Sequence, residues 1–232
     1  MIKLITFNLD NTLWDVTPVI RRADKILKQW MSETQPEVLD HYNTKTFALV
    51  KKKVSQEQPD SLHLPTPFRK HLLCHCYSQI GLDGIRLEQQ VEDAFKVFHT
   101  ARNEIEFYPG TIPLLRKLNE DFDLIALSNG NADLQMAGLG DYFRGHFSAD
   151  STGKPKPDPT MFLAALDHAG VAPKETIHIG DHQKEDVDAA QKLGFRTIWF
   201  NENGKQAPKI CSPDREVCQL NQIVSVIQGL LD

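Results

Sequence analysis

Lys3-Leu4-Ile5-Thr6-Phe7-Asn8-Leu9-Asp10-Asn11-Thr12 decides how the rest of the chain is read, because here an apolar run stops abruptly at a polar turn. Leu4, Ile5, Phe7 and Leu9 mark residues 3–9 as a short buried strand, and Asp10-Asn11-Thr12 ends it. The next ninety residues are helical in pattern. From about Pro18 to Glu104 apolar residues recur at helical spacing, with Val19, Ala23, Ile26, Leu27, Trp30 and Met31 in one stripe and Val91, Ala94, Phe95 and Phe98 in another. Gln58-Pro59-Asp60-Ser61, Leu64-Pro65-Thr66-Pro67, Gly81 and Gly84 supply the breaks between helices.

After Tyr108-Pro109-Gly110 the period alternates between helix and strand. A helix through Ile112, Leu115 and Leu118 precedes a strand over Leu124-Ile125-Ala126-Leu127. A helix over 158–169 precedes Thr176-Ile177-His178-Ile179, a helix over 185–193 precedes Arg196-Thr197-Ile198-Trp199-Phe200, and Val217 to Leu231 reads as a terminal helix. Such alternation predicts a parallel sheet with helices on its faces, an α/β fold. Because the first strand is separated from the other repeats by the helical block, that block is an insertion into a core discontinuous in sequence.

Composition narrows the class. The chain has 232 residues, 41% hydrophobic and 25% charged, as soluble globular proteins do, and contains no apolar run long enough to span a bilayer. Met1 to Phe7 lack the apolar stretch and cleavage site of a secretory signal, so a cytoplasmic protein is expected. A net charge of −5 offers no general attraction for nucleic acid or for an anionic membrane, which leaves a small molecule as the expected partner. Cys74, Cys76, Cys211 and Cys218 are too sparse for a disulfide scaffold in a chain of this length. His71, Cys74, His75 and Cys76 lie close together but lack two properly spaced ligand pairs, and read as a helix face rather than a zinc site.

Chemistry is expected where parallel strands end, since ligands of open α/β sheets bind beyond the carboxyl ends of the strands. Four stretches qualify: Asn8-Leu9-Asp10-Asn11-Thr12, Ser128-Asn129-Gly130-Asn131, Lys154-Pro155-Lys156-Pro157-Asp158-Pro159, and Gly180-Asp181 with Asp186. A lysine and a hydroxyl suit a phosphoryl group, and acidic residues suit Mg²⁺, so this combination points to phosphoryl transfer.

In these motifs the sequence resembles the haloacid dehalogenase superfamily, whose first motif is Asp-x-Asp-x-Thr or Val after a hydrophobic strand. The resemblance implies a Rossmann-like core over residues 1–14 and 106–232, with residues 15–105 as a helical cap hinged near 14–18 and 105–109. It also implies an aspartate nucleophile at position 8 that forms an aspartyl phosphate, with Asp10 as general acid and base. Ser128 and Lys156 are then the groups that hold the phosphoryl oxygens, with Thr12, Asn129 and Gly130 beside the substrate. Mg²⁺ is the implied cofactor, held by position 8, Asp10, Asp181 and Asp186. Lys154 is the rival for the lysine role, but Lys156 directly precedes Pro157-Asp158-Pro159, as in the family pattern. The implied reaction is Mg²⁺-dependent hydrolysis of a small phosphate monoester. Asn129-Gly130-Asn131-Ala132-Asp133 and Gly138-Leu139-Gly140-Asp141-Tyr142-Phe143 are similar to bacterial phosphatases acting on 5-amino-6-(5-phosphoribitylamino)uracil and other small phosphate esters.

Position 8 departs from the pattern. Asn8 is a poor nucleophile and removes one charge and one ligand oxygen from the metal site, so this form is expected to be nearly inactive. Either catalysis has been lost and the chain is a phosphometabolite-binding module, or an active protein has been altered at this position; the retained Asp10, Ser128, Lys156, Asp181 and Asp186 favour alteration. A metal-free 2-haloacid dehalogenase is the enzyme alternative, since Leu127-Ser128-Asn129-Gly130-Asn131 resembles its second motif, whereas Asp10 and the acidic pair of the fourth motif favour the phosphatase.

Overall fold

A computed structural model describes residues 1–202, 204 and 211–231, so residues 203, 205–210 and 232 of the expected core lie outside it. The chain divides into two compact units, Met1–Asp15 with Glu106–Asp232 and Val16–Ile105. Among the described residues no helix is long and apolar enough to cross a membrane.

The discontinuous unit is built on a six-stranded parallel sheet formed by β1 (Leu4–Phe7), β2 (Asp123–Ser128), β3 (Gly145–Ser148), β4 (Thr176–Gly180), β5 (Arg196–Phe200) and β6 (Arg215–Val217). Their order is β3-β2-β1-β4-β5-β6, the Rossmann-like doubly wound arrangement in which the direction of strand addition reverses at β1 and β4. The register pairs Phe7 with Ala126 on one side and with Ile179 on the other, so the ends of β1, β2 and β4 lie side by side. Leu4, Ile5, Thr6 and Phe7 are all fully buried, which explains why β1 reads as a continuous apolar run rather than an alternating one. Burying each of its large apolar side chains contributes about 1.5–3 kcal/mol relative to leaving it in water.

The helical unit comprises α1 (Val16–Thr34), α2 (Thr44–Glu57), α3 (Pro65–Gln79) and α4 (Gly84–Arg102). Val19, Ala23, Leu27 and Met31 repeat every fourth residue and form the buried face of α1. Together with Leu73, Tyr77, Ala94 and Phe98 most of this face forms a core belonging to the unit itself. Ile26, expected in the stripe, is 36% exposed, and Trp30 and Phe95 are half-buried at its margin. On α3, Cys76 faces this core while Cys74 is exposed; among the described residues no group of three His, Cys, Asp or Glu converges as a metal site.

Helices of the sheet-bearing unit are α5 (Thr111–Leu118), α6 (Ala149–Thr152), α7 (Thr160–Ala169), α8 (Ala189–Lys192) and α9 (Ile223–Leu231). Several boundaries differ from those the sequence pattern predicts, each for a local reason. Strand β1 stops at Phe7, although the Asn8 N–H still bonds to the Ile179 carbonyl at 2.8 Å. Helix α7 starts at Thr160 rather than 158, because the Asp158 carboxylate accepts the Thr160 N–H at 3.0 Å. Gly145–Ser148 forms a strand that the pattern does not predict, being four residues long with one large apolar side chain. Arg215–Val217 pairs with β5 as an edge strand, so the terminal helix begins at Ile223 instead of Val217. The helix expected over 185–193 spans Gln183–Lys192, its first part, Gln183–Asp188, wound as a π-helical turn that leads into α8.

Candidate active site

Three of the four expected stretches extend directly from neighbouring strands, Asn8 from β1, Ser128 and Asn129 from β2, and Asp181 from β4. The fourth, carrying Lys156, lies in the connection between α6 and α7. Lys156 is the meeting point. The residue is 2% exposed, and Nζ donates to Asn8 Oδ1 at 3.0 Å, to the Leu127 carbonyl at 2.9 Å and to Asp186 Oδ1 at 2.6 Å. These acceptors match the three donors of an ammonium in number. Lys154, by contrast, is exposed.

Asn8 is bonded at both ends of its amide. Its Nδ2 donates to the Asp10 carbonyl at 2.8 Å, to Asp181 Oδ1 at 2.8 Å and to Thr12 Oγ1 at 3.1 Å, while Oδ1 receives Lys156. Thr12 Oγ1 also donates to Asp181 Oδ1 at 3.2 Å. The loop that presents these groups is tight: the N–H groups of Thr12 and Leu13 both bond to the Leu9 carbonyl, and Asn11 has a left-handed φ of 62°, a conformation asparagine tolerates better than most residues. The Asp10 side chain takes another direction from its carbonyl, with Oδ1 accepting the indole N–H of Trp14 at 2.8 Å. Trp14 is fully buried and packs edge-on against Phe107.

On the β2 side, Ser128 is fully buried and its Oγ accepts the Gly130 N–H at 3.0 Å. Asn129 binds the backbone of Lys156 twice, its Oδ1 accepting the Lys156 N–H at 2.7 Å and its Nδ2 donating to the Lys156 carbonyl at 2.9 Å. That Nδ2 also donates to Glu185 Oε2 at 3.0 Å. Asn129 thus clamps the loop that delivers the lysine, and the Lys156-Pro157 bond in that loop is cis.

Asp186 is 1% exposed and both its carboxylate oxygens are engaged. Oδ1 accepts Lys156 Nζ and His178 Nε2, the latter at 3.2 Å, and Oδ2 accepts the His182 N–H at 3.0 Å. The π-helical turn places it there, with the Val187 N–H reaching back five residues to the His182 carbonyl, while the His182 ring caps the turn by accepting the Glu185 N–H. Burial alone would raise the Asp186 carboxyl, but the Lys156 ammonium and the His178 N–H outweigh it and hold the group well below the usual carboxylate range. Asp181 goes the other way: burial and the neighbouring Asp186 charge push it up to about 6, against the opposing pull of Lys156 and Thr12.

His178, a plain strand residue by sequence pattern, links the sheet to the site. Burial lowers its pKa, so the ring is neutral; Nε2–H donates to Asp186, and Nδ1 accepts from the Thr6 hydroxyl at 2.8 Å. Trp199 joins the site as well, its indole N–H donating to the Asp181 carbonyl at 2.8 Å. Neither carries a sequence signal, because both lie on strands buried on each face, where side-chain period does not say which residue meets a loop.

The arrangement is one buried cation between two oxygen-bearing neighbours, with a second carboxylate across the position 8 side chain. Residues 2–194 match the family described as haloacid dehalogenase-like hydrolase. A relative from Escherichia coli, 5-amino-6-(5-phospho-D-ribitylamino)uracil phosphatase YigB, is 28% identical over 97% of this chain and 96% of its own length. A phosphoserine phosphatase from Thermus thermophilus is 29% identical over 68% of this chain and 64% of its own. Among solved structures, a 2-haloacid dehalogenase from Pseudomonas syringae is 35% identical, covers 99% of this chain and 100% of its own, and superposes with a TM-score of 0.94. The chain belongs to the haloacid dehalogenase-like hydrolases.

Proposed function

We propose that this chain is the scaffold of a Mg²⁺-dependent phosphatase for a small phosphate monoester, and that with Asn8 at the nucleophile position it binds such an ester without turning it over. The observation that carries the reading is Lys156 Nζ, set between Asn8 and Asp186 with Asp181 on the far side of Asn8. That is the charge arrangement needed for a carboxylate at position 8 to approach an anionic phosphoryl group. The Escherichia coli and Thermus thermophilus phosphatases act on small phosphorylated molecules by their names, which supports the same substrate class. A net charge of −5 agrees with a small anionic ester held locally rather than with nucleic acid or a membrane surface, and we place the protein in the cytoplasm.

In the reaction this scaffold would perform, a carboxylate oxygen at position 8 attacks phosphorus as the ester P–O bond breaks, and the leaving oxygen takes a proton from Asp10. Water then attacks the aspartyl phosphate, giving its proton to Asp10, and phosphate departs as the carboxylate is restored. The Ser128 hydroxyl is the group we assign to a phosphoryl oxygen, with Thr12, Asn129 and Gly130 lining the substrate side, and we read the unit Val16–Ile105 as the helical cap. The Asn8 amide oxygen is a weak nucleophile and is already engaged by Lys156, so the first step fails. Loss of a nucleophile can cost about 10⁶ in rate, as in one well-studied protease. For Mg²⁺ the side chains as they stand do not fit: an amide N–H donor points at the two oxygens that a cation would need.

The Pseudomonas syringae structure favours a second reading, a 2-haloacid dehalogenase. One experiment separates the two. Hydrolysis of an aryl phosphate and of a 2-haloacid is measured with Mg²⁺ for this chain and for Asn8→Asp, with intact mass excluding deamidation. Turnover of the phosphate by Asn8→Asp, raised by orders of magnitude and abolished by EDTA, is the expected result. Halide release without phosphate release, insensitive to EDTA, would replace the phosphatase reading with the dehalogenase one.

A further inference from the structure

The direction of the Asn8 amide is dictated by Lys156. An ammonium has three donors and no acceptor, so only the oxygen end of the amide can face Nζ. The NH₂ end therefore faces Asp181 Oδ1, the Asp10 carbonyl and Thr12 Oγ1. Turning the amide over would set donor against donor at Lys156 and acceptor against acceptor at Asp181 and Asp10. Asn8 is 8% exposed and Lys156 2%, so water has little access to repair either mismatch.

A divalent cation in such a place takes oxygen ligands at about 2.0–2.6 Å, and Mg²⁺ requires a near-regular octahedron. The Asp10 carbonyl and Asp181 Oδ1 are two oxygens of the right kind, and each stands 2.8 Å from Nδ2. The amide nitrogen thus lies where it draws both oxygens, as a cation would, and offers them hydrogens. A carboxylate differs in one respect that matters here: with two oxygens it can keep the Lys156 bond through one and present the other to a cation. An amide has a single oxygen, and here it faces the Lys156 ammonium.

We infer that the Asn8 NH₂ group is a built-in substitute for the divalent cation, satisfying the Asp10 carbonyl and Asp181 and so excluding Mg²⁺ from this chain. This rests on the phosphatase reading of the site, but it concerns occupancy and not turnover. It separates two effects of an asparagine here, the absent charge and the hydrogens that fill the space, and assigns a distinct part of the loss to the hydrogens.

Mn²⁺ binding, tracked through the electron paramagnetic resonance signal of the free ion, tests it on the full chain, on Asn8→Asp and on Asn8→Ala. Alanine supplies no charge but removes the NH₂ group; Asn8→Ser makes the same comparison if the alanine variant does not fold by circular dichroism. Both Asn8→Asp and the small variant are expected to bind Mn²⁺ more tightly than this chain, the aspartate by at least roughly ten- to a hundredfold, the range by which even a change outside the direct ligands commonly alters metal affinity. Adding Asp181→Asn to Asn8→Asp is expected to remove the gain, which locates the ion. If either Asn8→Asp or the small variant binds no more tightly than this chain, or if the gain survives Asp181→Asn, the inference is overturned. Failure of the phosphatase reading looks different: Asn8→Asp would bind Mn²⁺ and hydrolyse no phosphate ester.

Discussion

Gly180 lies directly beneath the Asp186 carboxylate, so closely that a Cβ added to the glycine would stand 2.3 Å from Asp186 Cγ and 2.4 Å from Oδ2. Asp186 has little freedom to yield, because its oxygens are committed to Lys156, His178 and the His182 N–H. The glycine at the end of β4 is therefore required by close approach rather than by backbone conformation. Gly180→Ala is expected to destabilise the fold by about 1–3 kcal/mol, the range for overpacking a close-packed interior. In a Lys156→Ala background, where Asp186 can shift, the same substitution should cost less. Urea unfolding of the four proteins measures both; equal costs in the two backgrounds would mean that Asp186 is not the obstacle.

The Lys156–Asp186 pair is 2.6 Å long with both side chains 1% exposed, so removing one member strands a charge. Lys156→Ala is expected to cost about 3–5 kcal/mol, and Lys156→Met, which fills most of the volume, should still be strongly destabilising because the carboxylate remains. Adding Asp186→Leu to Lys156→Met should recover much of that loss. Additive losses in a double-mutant cycle would show that the pair is not coupled as the geometry requires.

Asp181 gives stability a particular dependence on pH. Its carboxyl is raised to about 6 in the folded protein, against about 3.9 in an unfolded chain, so between those values the native state holds the proton more tightly. The contribution is complete below the unfolded value and is lost as pH rises through the folded one. Stability of this chain should therefore carry a falling component from about pH 4 to pH 6 that is absent in Asp181→Asn. Urea unfolding at intervals across that window checks it, and parallel curves for the two proteins would sink the assignment.

The α/β class was legible because apolar period is a local property: a mostly apolar run at residues 3–9, helical spacing through residue 104 and alternation thereafter can be read without knowing what lies opposite. The sequence also marked the stretches that follow the strands, Asn8 to Thr12, Ser128 to Asn131 and Gly180-Asp181, since a polar cluster after an apolar run shows where a buried strand leaves the core. Short and edge elements escaped. Gly145–Ser148 and Arg215–Val217 are held by a neighbouring strand's hydrogen bonds rather than by a pattern of their own. Lys156 is brought to Asn8 across 148 residues of separation. That meeting decides which way the Asn8 amide points, and with it the relation of Asp181 to position 8. His178 likewise became part of the site only through Asp186 behind it. Composition and period determine which segments are buried, because burial depends on the solubility of each side chain. Which polar atom faces which depends on donors and acceptors contributed by distant segments, and these take their places only when the sheet assembles.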